Sequence, residues 1–98
     1  LFRSINENYK QELNLQNIAD TFYLNKFYLS REFKKQYDIT INNYIAQIRI
    51  TKAKKLLRFS DKSITEIALE VGIQDPNYFA RQFKKIEGMS PSEYKSKW

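Results

Sequence analysis

Apolar residues recur along the chain at helical spacing. Ile18, Ala19 and Phe22 fall on one face of a short helix. About fifty residues later the same face returns in Ile67, Ala68 and Val71. Only two glycines and two prolines occur, which leaves few of the turns that a sheet needs. The pattern predicts an all-α fold with two helix-turn-helix subdomains joined by a long linker helix, about seven helices in all.

Capping residues place the helix boundaries. Two serines each precede a glutamate by three residues, the spacing of a capping box: Ser63 with Glu66 and Ser90 with Glu93. Plausible N-caps in the first part of the chain are Asn14, Asn25 and Thr40. We therefore expect helices at about 2–10, 15–22, 26–37, 41–59, 64–71, 76–87 and 91–97.

The chain contains an internal repeat. Tyr28–Lys35 (YLSREFKK) aligns with Tyr78–Lys85 (YFARQFKK), and each segment follows a short helix and a tight turn. This order predicts helix-turn-helix subdomains at about 13–38 and 63–88, a linker helix at 41–59 and a C-terminal helix at 91–97. Gly72 suits the left-handed backbone of the second turn, whereas the first copy has Tyr23 there. We expect the first turn to be strained or differently shaped.

The second helix of each copy has an inward and an outward stripe. We expect the inward stripe to form core, although its aromatics could instead contact DNA; it comprises Tyr28, Leu29, Phe33, Tyr78, Phe79 and Phe83. Arginine can bond guanine with two N–H groups, and asparagine can pair with adenine. The base-reading candidates are therefore the outward residues Lys26, Phe27, Ser30, Arg31, Asn77, Ala80 and Arg81. The alternative for Arg31 and Arg81 is a salt bridge or a backbone brace.

Lysines suit phosphate contacts because an ammonium group acts as a point charge. The phosphate candidates from the repeat are Asn25, Lys34, Lys35, Lys84 and Lys85. Residues 26–58 carry nine basic residues against two acidic ones, whereas residues 59–98 are neutral overall. This basic block indicates a polyanionic partner, and a solvated lysine-rich surface is the alternative. We expect both copies to contact DNA, the first contributing more electrostatic affinity and the second being the better-formed module.

The linker helix carries apolar and basic positions on different sides. We expect Tyr44, Ile45, Ile48, Ala53, Leu56 and Leu57 to pack on one or both modules. The residues expected to stay mostly on the other side are Arg49, Lys52, Lys54, Lys55 and Arg58.

Other functional classes find less support in the sequence. The chain has no cysteine, no histidine and no phosphate-binding glycine loop, so we predict neither an enzyme nor a cofactor or metal site. A protein-interaction module stays open if Tyr28, Phe33, Tyr78 and Phe83 prove exposed. No signal peptide and no apolar run near the ~18 residues of a membrane span are found, which predicts a cytoplasmic protein. Because the chain begins with Leu1, we expect it to be a fragment of a longer protein.

Three segments carry a family resemblance: Ser63–Gly72 (SITEIALEVG), Tyr78–Lys85 and Gly88–Tyr94 (GMSPSEY). With the linker around Arg49–Ala53, they resemble the C-terminal DNA-binding domain of AraC/XylS-type bacterial transcriptional regulators. The resemblance implies two recognition helices in adjacent major-groove segments of double-stranded DNA, and a long, asymmetric site. It also implies that the protein activates promoters, often by contacting RNA polymerase. When bound to DNA, such a protein is associated with the nucleoid.

The resemblance further implies an N-terminal domain outside this chain, either a ligand-binding and dimerisation domain or a response-regulator receiver domain. The segment around Ile5 and Tyr9 looks more like the receiver-linked members. Three positions depart from the family pattern. Ile73 replaces the usual aromatic, Pro76 stands where other members often have a polar residue, and Lys95 replaces a common arginine. The resemblance therefore assigns no base contact to Pro76, while Lys95 retains the positive charge for a phosphate contact.

Overall fold

The computed structural model describes residues 2–10 and 13–98, with the side chain of Phe2 left out. Over this part of the chain the secondary structure is all-α, as predicted. The seven helices found there are α1 (Phe2–Asn8), α2 (Leu15–Thr21), α3 (Lys26–Tyr37), α4 (Ile41–Phe59), α5 (Ile64–Glu70), α6 (Pro76–Glu87) and α7 (Pro91–Ser96). Each bound lies within two residues of its prediction. None of the described helices is both long and apolar enough to cross a lipid bilayer.

Side-chain caps begin these helices where the sequence indicates. The side chain of Asn14 accepts a hydrogen bond from the N–H of Asn17 at 2.8 Å, and Thr40 caps α4 in the same way. Both predicted capping boxes form, at the start of α5 and of α7. In each box the serine oxygen accepts from the glutamate N–H while the glutamate carboxylate accepts from the serine N–H, so two otherwise unpaired donors are satisfied.

The turns within the two helix-turn-helix motifs have the same backbone geometry. The N–H of Leu24 donates to the carbonyl of Ala19 at 2.8 Å, and the N–H of Ile73 donates to the carbonyl of Ala68 at 2.8 Å. This bond, with a left-handed residue one position earlier, is the Schellman ending of a helix. The left-handed residue is Gly72 in the second motif, with φ of 94°.

Two hydrophobic cores lie along α4. The first core consists of Ile5, Ile18, Ala19, Leu29, Phe33, Ile41, Ile45 and Ile48. The second core consists of Ile50, Ala53, Leu57, Ile67, Ala68, Val71, Ile73, Phe79 and Phe83. At 3.6 residues per turn, the two stripes of α4 that enter these cores are about 150° apart around the helix. The two modules therefore pack on nearly opposite sides of one helix.

The predicted sides of α4 differ from the structure at several positions, and Ile41, which the predicted apolar set omits, is buried in the first core. Ile50 is fully buried in the second core, although the predicted apolar set omits it. Arg49 lies between the two stripes, half-buried, with a hydrogen bond to a backbone carbonyl. The ammonium of Lys54 lies 3.3 Å from the carboxylate of Glu87 and is also partly buried. The deviations at Ile50, Arg49 and Lys54 arise because the second module covers a side of α4 that a single apolar stripe would leave to solvent.

Candidate nucleic-acid interface

Helices α3 and α6 begin with caps that fix the direction of their first turns. The side-chain oxygen of Asn25 accepts from the N–H groups of Phe27 and Tyr28 at 2.9 and 3.2 Å. Asp75 accepts from the N–H of Asn77 at 2.9 Å, and Pro76 follows it at the first helical position. Proline suits that position because its missing N–H would have no partner within the helix. Both helices therefore present the residues at their N-terminal ends in a defined orientation.

The outward side of each helix carries matching basic residues. Arg31, Lys34 and Lys35 of α3 are exposed. Their counterparts Arg81, Lys84 and Lys85 of α6 are exposed as well. The two lysine pairs lie in the last turns of their helices, where the helix dipole favours positive charge.

The remaining base-reading candidates fall into two groups. Phe27 and Asn77 hold equivalent positions and are exposed, Phe27 to 69%. The half-buried candidates are Lys26, Ser30 and Ala80. The ammonium of Lys26 lies 5.2 Å from the ring centroid of Phe27, so cation and ring are neighbours at the N-terminal end of α3.

Tyr28 and Tyr78 are not core residues, which corrects the sequence prediction. Their exposed fractions are 49% and 46%, whereas Phe33 and Phe83 are buried as expected. Each tyrosine lies one residue before the i, i+4 pair that enters the core, and one residue turns the helix by about 100°. The tyrosine rings consequently lie at the edge of the outward stripe.

Each of these tyrosines flanks the arginine three residues later. The guanidinium carbon of Arg31 lies 6.0 Å from the ring centroid of Tyr28, and that of Arg81 lies 5.9 Å from the ring centroid of Tyr78. The same tyrosine–arginine pair is thus built twice. The sequence prediction placed these tyrosines in the core, with DNA contact as the alternative, although their identity in both copies was a signal for a shared role at the surface.

Three phosphate candidates already have protein partners. The oxygen of Asn25 serves as the α3 cap, as described above. The ammonium of Lys95 donates to the carbonyl of Lys62 at 3.3 Å and is partly buried, which connects α7 to the segment before α5. A phosphate contact by Lys95 would therefore have to replace or share that bond. Lys34 lies 3.9 Å from the carboxylate of Asp38, a surface pair that contributes little net energy.

The electrostatics of α4 divide its basic residues between packing and surface. Burial lowers the pKa of the Arg49 guanidinium from its ordinary value, while the nearby Tyr78 acts in the opposite direction. The guanidinium of Arg58 lies 3.7 Å from the ring centroid of Trp98.

Within residues 2–10 and 13–98 no group of three or more acidic side chains has the arrangement of a metal site. The outward sides of α3 and α6 present basic and aromatic groups.

Comparison with known proteins identifies the fold. A family model described as a helix-turn-helix domain matches residues 18–97. A helix-turn-helix-type transcriptional regulator, itself uncharacterized, from the cgkA 5′ region of Pseudoalteromonas carrageenovora is 41% identical over 91 residues, covering 93% of this chain and 54% of that protein. The transcriptional activator RhaR of Mannheimia succiniciproducens is 34% identical over all 98 residues, which cover 36% of its length. The bifunctional transcriptional activator and DNA repair enzyme AdaA of Bacillus subtilis is 37% identical, with 93% of this chain and 43% of that protein covered. The chain thus spans between about a third and a half of these relatives.

Comparison with solved structures identifies the same fold. The C-terminal domain of AraT, a response regulator from Geobacillus stearothermophilus, superposes with a TM-score of 0.94 at 33% identity, covering 98% of this chain and 80% of that one. The DNA-binding domain of AdpA, determined in complex with a target DNA, shares the fold with a TM-score of 0.91 at 22% identity, over 98% and 86% of the two chains. The chain belongs to the AraC-type helix-turn-helix family of DNA-binding transcriptional regulators.

Proposed function

We propose that the 98-residue chain acts as one DNA-binding domain that reads a specific sequence, with α3 and α6 in adjacent major-groove segments. The observation that carries the proposal is the duplicated outward surface, in which tyrosine, arginine and a lysine pair recur at the same positions of both helices. In helix-turn-helix proteins the N-terminal residues of the second helix contact base edges.

The dimensions of the molecule support simultaneous contact by both helices. Helix α4 has 19 residues, which at ~1.5 Å per residue span about 28 Å. The longest dimension of the molecule is 43 Å. Major-groove segments on one face of B-DNA lie ~34 Å apart. A protein of this length can therefore place one helix in each of two successive segments.

The proposal assigns two kinds of contact. The base-reading set stays as predicted: Lys26, Phe27, Ser30, Arg31, Asn77, Ala80 and Arg81. The phosphate set is Asn25, Lys34, Lys35, Lys84, Lys85 and Lys95. Phosphate contacts fix the position of the protein on the duplex and carry no sequence information, whereas base contacts distinguish sequences.

Selection from randomised duplexes, followed by binding measurements on the selected site, tests both parts. Arg31→Ala should cost about 1–3 kcal/mol on the selected site and relax the preference at one base pair. Lys35→Ala should weaken binding to all sequences alike and reduce the salt slope by about one. Lys97→Ala, an exposed lysine outside the proposed interface, is the matched control for loss of one charge.

Two outcomes would refute this assignment. If the folded protein enriches no sequence at moderate salt, sequence-specific binding is wrong. If Arg31→Ala and Lys35→Ala lower affinity equally on selected and random DNA, the division between base and phosphate contacts is wrong.

Relatives named as transcriptional activators, RhaR among them, support the further proposal that the protein containing this chain activates transcription, with RNA polymerase as a partner. A promoter carrying the selected site upstream of a reporter tests it: activation predicts increased output that depends on Arg31. Decreased output would indicate a repressor. For this chain itself we propose binding and not catalysis, since the outward sides of α3 and α6 present cations and aromatic rings.

A protein-interaction module is the second candidate function. It is favoured by the partial exposure of Tyr28 and Tyr78. Phe33 and Phe83 are buried, whereas Phe27 is exposed beside Lys26. The exposed tyrosine rings lie beside arginines, which fits contact with a polyanion better than contact with an apolar partner. Weaker DNA binding by Tyr28→Leu would support the first function, and unchanged DNA binding would favour the second.

A further inference from the structure

Tyr9, the residue that follows α1, contacts both modules at once. The side chain of Tyr9 packs against the first core and against the second. The backbone carbonyl of Tyr9 accepts a hydrogen bond from Nε of Arg49 at 2.9 Å. Arg49 lies near the middle of α4, where its guanidinium is half-buried. Tyr9 is thus fixed both by its ring and by its backbone at the boundary between the modules.

The turn of the second helix-turn-helix motif contacts the same segment. A Cβ atom on Gly72 would lie 2.6 Å from the carbonyl oxygen of Tyr9 and 2.9 Å from that of Lys10, and real Cβ atoms essentially never approach closer than 3.0 Å. Glycine is therefore required at this turn by the close backbone as well as by its φ of 94°. In the first motif the equivalent Tyr23 is 95% exposed, so the contact is particular to the second motif.

We propose that the junction of Tyr9, Arg49 and Gly72 fixes the orientation of the second helix-turn-helix motif relative to the first. It thereby sets the spacing of the two half-sites on DNA. Both modules pack on α4, and a long helix can bend along its length. The contacts of Tyr9 with Arg49 and Gly72 connect the modules at a point away from the axis of α4, and they therefore resist bending and twisting between the modules. Arg49 and Gly72 are positioning residues in this scheme, and their role rests on the proposed DNA-binding function.

A series of DNA duplexes tests the link to spacing. The selected site is compared with versions lengthened or shortened by one base pair between its halves. Two linked modules gain on the order of 10²-fold or more in affinity when their geometry matches both sites, and lose this gain when it does not. The unaltered protein should therefore discriminate strongly between the spacings. Gly72→Ala and Arg49→Met should bind the selected spacing more weakly and discriminate less.

Two matched controls separate this effect from general damage. Gly88→Ala places alanine at a similar φ of 82°, but a Cβ there meets no atom within 4 Å. Gly88→Ala therefore has the conformational cost of alanine at a positive φ, but no steric clash with a neighbouring backbone. Lys55→Met removes one exposed positive charge from the same helix as Arg49. Both controls should keep the spacing profile of the unaltered protein, although Lys55→Met lowers affinity at every spacing if that charge contributes.

A second measurement needs no DNA. The chain has no cysteine, so spin labels can be attached through Lys35→Cys and Lys85→Cys at exposed positions of α3 and α6. The distance distribution between the labels should be narrow in the unaltered protein and in Gly88→Ala, and broader or shifted in Gly72→Ala and Arg49→Met. If Gly72→Ala does not fold, Arg49→Met carries the test, since it removes the side-chain hydrogen bond to the Tyr9 carbonyl and adds no atom to the backbone.

The two measurements distinguish failure of the inference from failure of the proposed function. Folded junction variants with an unaltered spacing profile and distance distribution would overturn the inference alone. If the unaltered protein selects no sequence, the proposed function fails, and an unaltered label distance in folded variants would still overturn the junction.

Discussion

Tyr23 lies in a left-handed backbone conformation that few residues adopt, with φ of 56°. Its side chain is 95% exposed, so it gains almost nothing from burial in return. A residue with a Cβ in this conformation costs roughly 1–2 kcal/mol. Glycine removes that cost but loses about 0.4–1 kcal/mol through its greater freedom in the unfolded chain. We therefore expect Tyr23→Gly to raise the free energy of unfolding by about 0.5–1 kcal/mol.

Urea titration and thermal unfolding measure this change. For a domain of this size about 1 kcal/mol corresponds to roughly 4–8 °C in Tm, and the urea m value should stay constant. Asp38→Gly is the matched control, since Asp38 also has φ of 56°, at the end of α3. Aspartate tolerates this conformation better, and Asp38 also lies near Lys34, so its replacement should give a smaller gain.

An unchanged or lowered stability in Tyr23→Gly would refute the reasoning, because it would mean that the ring contributes as much as the backbone strain costs. A change in m would instead indicate an altered unfolded state. Binding to the selected DNA should stay within about twofold, since the interface assigned here does not include Tyr23. A larger loss would assign the strained tyrosine to the DNA interface.

The other predictions concern the tyrosine–arginine pair and the first capping box. Tyr28→Leu should weaken binding by about two- to fivefold and relax the base preference assigned to Arg31, because exposed cation–π contacts contribute about 0.5–1 kcal/mol. Tyr28→Phe retains the ring and should keep that preference in competition assays; equal behaviour of both variants would exclude positioning by the ring. Hydrogen bonds from the backbone N–H and then the hydroxyl of Ser63 lower the pKa of Glu66. This group stabilises the fold above the ordinary glutamate pKa of about 4.3, and the contribution is lost as pH falls through the lowered value. Acid titration of stability should therefore be flatter in Glu66→Gln, and an identical slope would show that other carboxylates dominate.

The positions of the helices could be predicted because their signals are local. A serine with a glutamate three residues later satisfies the same backbone donors in any fold, and both such pairs form capping boxes. The Schellman turns likewise depend on one left-handed residue and its neighbours. Of the two alternatives expected for the first turn, strained or differently shaped, the structure has the first: Tyr23 adopts the same left-handed conformation as Gly72, because the surrounding repeat determines the backbone.

Which side of each helix is buried was harder to predict. Helix α4 has two apolar stripes, and which residues enter which core depends on where the second module packs; this is why Ile50 and Arg49 were misplaced. Phe22, placed on the inward face of α2 by its spacing, is 39% exposed, while its counterpart Val71 is buried. The contact between Gly72 and Tyr9 joins residues more than sixty positions apart, and no periodicity in the sequence indicates it. The base and phosphate assignments stay predictions, since they concern a partner and not the fold.

The two copies differ in a way that bears on the DNA they would read. Tyrosine, arginine and the lysine pair are shared, so both helices offer the same outward basic surface. The equivalent positions Phe27 and Asn77 differ in chemistry, one suited to a thymine methyl group and the other to adenine. Because the lysine pairs match while the base contacts differ, both halves should contribute to binding, the first with more electrostatic affinity, but recognition should not be symmetric. A single chain should then distinguish the two orientations of its site, and inverting one half-site should abolish specific binding while leaving the salt-dependent, non-specific part intact.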